Sequence, residues 1–82
     1  MEEVSFSSHA WDMLQERNIT EAWVQQAMQA PDRTEVGMDH NIHYIKAIEE
    51  HGGRCLRVVV NPHVTPKRIV TVFFDRRVQR QS

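Results

Sequence analysis

His9, Arg57 and Thr71 are the residues of this chain whose types could act together on an anionic ester. An imidazole takes or gives a proton near neutral pH. A guanidinium fork matches phosphate oxygens, and a hydroxyl adds one more donor. His9 falls in the first turn of a predicted helix, whose positive end attracts anions. Arg57 stands among Leu56, Val58, Val59 and Val60, where a charge must reach solvent, a partner or a ligand. If the loop before the last strand is centred on Val64, Arg57 faces Thr71 across the ladder with Cβ atoms roughly 5 Å apart. A one-residue slip would break that pairing. Arg17, closing the first helix, is a second candidate phosphate contact, and Tyr44 a candidate stacking surface for a base. Each has a structural competitor. His9 can pack or assist a helix cap, and Arg57 can pair with Glu49 or Asp75. Thr71 fits a strand by shape, Arg17 suits a helix C-terminus, and Tyr44 suits a core.

Two helices and four strands must position these groups. Ser7 is placed to cap the first helix, with Phe6 and Trp11 at the two positions of a hydrophobic staple. That helix is expected to reach about Arg17, with Ala10, Met13, Leu14 and Arg17 along one face. Thr20 caps a second helix, with Ile19 and Val24 repeating the staple spacing; Trp23, Val24, Ala27 and Met28 make its buried face. Pro31 disfavours helix at Ala30 and stops it. The period then alternates. Thr34, Val36 and Met38 read as a short strand, Asp39-His40-Asn41 as a turn, and Ile42 to Ile45, extending toward Ile48, as a second strand. Gly52-Gly53 turns the chain into Cys55–Val60, and the loop at Pro62 and Pro66 leads into Arg68–Phe74. The expected fold is α+β: two N-terminal helices on one face of a four-stranded antiparallel meander. It forms one domain over residues 1–82, with a core from about 6 to 75 and a polar tail over 76–82.

Ser7-Ser8-His9-Ala10, Arg17-Asn18-Ile19-Thr20, Pro31, Leu56-Arg57-Val58-Val59 and Ile69-Val70-Thr71-Val72-Phe73 occur in an order and spacing that resemble domain-of-unknown-function family 4258. The resemblance runs from Phe6 to Phe74. It departs at Asn18, where glycine is expected, although asparagine also tolerates positive φ. The resemblance implies a fold related to the barnase–colicin–RelE group of small ribonucleases, some of which cut RNA without metal. Under it His9 is the general base or acid, Arg57 the clamp on the crowded phosphorane and Thr71 an auxiliary donor; Arg17 and Tyr44 remain the substrate-binding candidates read from the residues themselves.

Composition narrows the classes. Eighty-two residues with a formal net charge of −1 exclude a globally basic nucleic-acid binder. Arg54, Arg57, Lys67, Arg68, Arg76, Arg77 and Arg80 crowd the later part of the chain, so a local basic face is the remaining electrostatic route to RNA. Cys55 is the single cysteine, which excludes an intrachain disulfide and fits a cytoplasmic setting. The start, Met-Glu-Glu-Val-Ser, lacks the character of a secretory signal, and no apolar run approaches the roughly 18 residues of a membrane span. His40 and His43 are three apart and lack a cysteine or carboxylate framework, so no metal is expected, nor any other cofactor. The function expected is a metal-independent, toxin-like endoribonuclease, which would call for an antidote protein. The alternative is a non-catalytic module on the same scaffold that binds RNA, a protein partner or a second copy. Trp11, Trp23, Phe73 and Phe74 are its candidate anchors.

Overall fold

The computed structural model describes residues 4–78. The order is β1 (Val4–Phe6), α1 (Ser8–Arg17), α2 (Glu21–Gln29), β2 (Arg33–Val36), β3 (Ile42–Ile48), a 3₁₀ turn (Glu49–His51), β4 (Arg54–Asn61) and β5 (Lys67–Phe74). Both helix starts follow from their caps. Ala10 N–H donates to Ser7 Oγ at 3.0 Å, and Trp23 N–H to Thr20 Oγ1 at 3.1 Å. Phe6 and Trp11 stack with ring centroids 4.7 Å apart, so the staple forms. Asn18 takes a φ of 55° at the end of α1, with its N–H on Leu14 O. Asparagine thus does the conformational work that glycine would do there.

The sheet has five strands in the order β1-β5-β4-β3-β2, which corrects the expected four-stranded antiparallel meander. The added strand, β1, runs parallel to β5, with Val4 beside Lys67 and Phe6 beside Ile69. Residues expected only to lead into a helix are first held by the sheet. Ser7 N–H donates to Ile69 O at 2.9 Å, and Ser7 Oγ donates to Val70 O at 2.8 Å. One serine therefore caps α1 and locks it to β5.

Both helices pack on one face. Ala10, Leu14, Ile19, Val24 and Ala27 form a core with Ile48, Leu56, Val58, Val60, Ile69 and Val72. Strand alternation sends Arg57 to the other face. The β4–β5 register pairs Arg57 with Phe73 and Val59 with Thr71, which corrects the expected Arg57–Thr71 opposition. The cause is twofold. The loop centres half a residue beyond Val64, with Asn61 against Arg68, and a bulge between Val59 and Val60 takes up one more residue of β5. The net shift of two keeps Thr71 on the face of Arg57, as a diagonal neighbour. Met38 lies outside β2 and is fully exposed.

Candidate functional site

The groups with chemistry gather on the helix-free face, around Arg57. Arg57 Nε donates to Asp75 Oδ2 at 2.8 Å; its Nη1 reaches Glu35 Oε1 at 3.2 Å and His43 Nδ1 at 2.9 Å. A guanidinium only donates, so His43 Nδ1 accepts and the ring proton sits on Nε2, facing the Asp39 carboxylate at 3.3 Å. The register explains the meeting. His43 lies opposite Val59 and Glu35 opposite His43, so all three strands send these side chains to one face. Gly37 leaves room for the pair: a Cβ there would stand 2.6 Å from both Asp39 Oδ1 and His43 Nε2.

Asp75 anchors the network. Its side chain is 2% exposed, that of Arg57 is 11% exposed, and Arg77 closes over the carboxylate with Nε 3.1 Å from Oδ1. These hydrogen bonds, from Arg77 first and then from Arg57, hold the Asp75 carboxyl down at about 2 against an ordinary 3.8. Arg77 is 82% exposed, so its share is screened by water and salt, and the drier Arg57 is the more durable partner. Asp39 is also lowered, chiefly because Asn41 N–H donates to it. The depressed value at Asp75 sets a pH window. Its stabilising contribution is complete above the unfolded value near 3.8 and is lost as pH falls through about 2. The expected loss is on the order of 1–2 kcal/mol after discounting the exposed arginine. Urea midpoints measured between pH 5 and pH 2 (a range set by these values) should fall in wild type and flatten in Asp75→Asn. An equally steep fall in the variant would remove Asp75 as the cause.

The structure brings together two of the three residues expected to act on an ester. Arg57 and Thr71 share the helix-free face. His9 is exposed on α1, which packs against the opposite face, so the expected His9–Arg57 pocket does not form. Tyr44 is half-buried against the helix-side core, because it lies opposite Val58. Arg17 is exposed at the end of α1, also away from Arg57. Of the two competitors named for Arg57, Asp75 is its partner. The residues that sequence reasoning did not place at the site are Glu35, Asp39 and His43. The signal for Glu35 and His43 was parity: hairpins centred on Asp39 and on His51 put the odd-numbered residues of β2, β3 and β4 on one face, with Asp39 in the first turn.

The late-chain cations do not form one groove. Arg54 and Arg76 lie at one end of the β4–β5 pair and Lys67 and Arg68 at the other, while Arg57 and Arg77 are bound to Asp75. Arg80 lies outside the described residues. The candidate anchors are largely occupied too. Trp23, His51 and Phe74 form a ring cluster against the core and Phe73 is half-buried, while Trp11 stacks on Phe6 yet stays exposed. Among the described residues the large apolar side chains more exposed than Trp11 are Val36, at 75%, and Met38. Among the described residues no group of three or more His, Cys, Asp or Glu could hold a metal ion, and no helix is long and apolar enough to cross a membrane.

A family model described as a domain of unknown function, DUF4258, matches residues 6–74. No curated protein and no solved structure matches the chain.

Proposed function

Given that the chain belongs to the DUF4258 family, to which no activity is assigned, we propose that it is a non-catalytic interaction module that takes a partner's extended strand onto β2. The observation that carries this reading is the state of that strand. β2 is the last strand of the sheet, and all four of its residues are exposed. Exposed Val36 and Met38 stand at its end. A free edge offers a row of unpaired backbone donors and acceptors, and strand addition supplies their partners. Burying Val36 and Met38 would each contribute about 1.5–3 kcal/mol. The dispersed cations favour a protein partner over an RNA backbone, which needs a contiguous basic track.

A second reading, RNA cleavage on the helix-free face, is favoured by one observation: His43, Arg57 and Thr71 all lie there. In it His43 replaces His9 as the proton-transfer group, Arg57 binds the phosphate and Thr71 assists. It requires both Nδ1 of His43 and the guanidinium to leave their present partners. Incubation with total tRNA separates the two readings. The expected result is RNA as intact as in buffer, with no difference among wild type, His9→Ala, His43→Ala and Arg57→Ala. Cleavage by wild type that disappears in His43→Ala and Arg57→Ala, both shown folded by circular dichroism, would establish the second reading and remove the first.

A further inference from the structure

The partner strand can be identified from the edge itself. We propose that β2 pairs with β2 of a second copy, antiparallel, with Thr34 opposite the partner's Thr34, joining two five-stranded sheets into one of ten. This rests on the reading of β2 as the docking edge and names what docks there.

The backbone fixes which residues face outward. Hydrogen-bonded and non-bonded pairs alternate along an antiparallel ladder. Gly37 N–H donates to Asn41 O at 3.0 Å, which makes that a bonded position. Two and four residues back, Glu35–His43 and Arg33–Ile45 are therefore bonded as well. Thr34 and Val36 lie between them and turn their N–H and C=O groups away from β3. A second β2 must bond through those groups.

Charge then selects the register. Arg33 and Glu35 share the helix-free face, with Arg33 Nη2 3.9 Å from Glu35 Oε2. With Thr34 on the partner's Thr34, Arg33 stands opposite the partner's Glu35, and the same contact repeats across the two-fold axis. These are non-bonded pairs, in which facing side chains come closest. Sliding by two residues one way sets Glu35 against the partner's Glu35, and the other way sets Arg33 against the partner's Arg33. Like charges facing each other are unfavourable, so both neighbouring registers are disfavoured. The ladder is short. Asp32 N–H is already bonded to Ile45 O at 2.8 Å, so Val36 finds only a carbonyl at that end. Two bonds at the Thr34 pair and one from each Val36 amide make a weak, concentration-dependent dimer.

Sedimentation of the intact chain over a concentration series tests this, alongside Arg33→Glu and Glu35→Arg. Wild type is expected to shift from monomer to dimer as concentration rises. Each variant, carrying like charges at both positions, is expected to dimerise at least tenfold more weakly. An equimolar mixture of the two variants is expected to recover the wild-type affinity, because the opposite charges again face each other. Structural damage from either substitution cannot produce that recovery. Two monomeric variants whose mixture stays monomeric would overturn the register. Should the variants not fold, amide exchange of wild type decides: slowing at Thr34 and Val36 with rising concentration is expected, and unchanged rates overturn the dimer. A wild type that stays monomeric removes the second copy as occupant and leaves β2 open to another protein strand. RNA cleavage lost in the His43 and Arg57 variants removes the docking reading itself.

Discussion

Asp75→Ala is expected to cost about 3 kcal/mol of stability, because it breaks an ion pair held largely out of water. Arg57, 11% exposed in the intact protein, keeps its charge in the variant while its Nε loses its acceptor. Glu35 and His43 contact only Nη1, so neither replaces the lost bond. The reverse truncation, Arg57→Leu, should cost less. It leaves Asp75 with Arg77, which can follow the carboxylate from solvent. Removing both partners together should cost less than the sum of the two single changes. Urea unfolding at pH 7 measures all three (a pH far above the value of about 2 for Asp75). A loss for Asp75→Ala below about 1 kcal/mol would mean that the network is surface decoration rather than a brace.

Ser7→Ala is expected to cost about 2 kcal/mol, roughly twice an ordinary cap substitution. Ser7 Oγ accepts from Ala10 N–H and donates to Val70 O at 2.8 Å, across a sequence separation of 63. The substitution removes a cap and also leaves a carbonyl beside the bulge of β5 without that donor. Thr20 supplies an internal control, since its hydroxyl accepts an exposed cap from Trp23 N–H and makes no cross-link to the sheet like that of Ser7 among the described residues. Thr20→Ala should cost about 1 kcal/mol. Equal losses for the two variants would show that the bond to Val70 contributes nothing.

The helices were legible because caps and staples are local. Ser7, Thr20, Pro31 and Asn18 each act within a few residues. The strands from β2 to β5 were legible from alternation and from the Gly52-Gly53 turn. β1 was not, because three residues carry too little alternation, and the partner that makes them a strand lies more than sixty positions away. The site failed for a related reason. Whether His9 could meet Arg57 depended on which face of the sheet the helices covered. Leu56, Val58 and Val60 decide that by drawing the helices to their side, leaving Arg57 on the other. The opposition of Arg57 and Thr71 failed because neither the half-residue offset of the loop nor the bulge has a marker in the sequence. Asp75 was readable as a partner for Arg57; its linking of Arg57 to Arg77 was not.

The position of β5 between β1 and β4 governs when the chain can fold during its own synthesis. As it leaves the ribosome, the leading strand and helix have nothing to dock on until Lys67–Phe74 has been translated and has cleared the exit tunnel. The nascent chain can therefore seat α2 on β3 and β4 early, while the apolar face of α1 waits uncovered for β5.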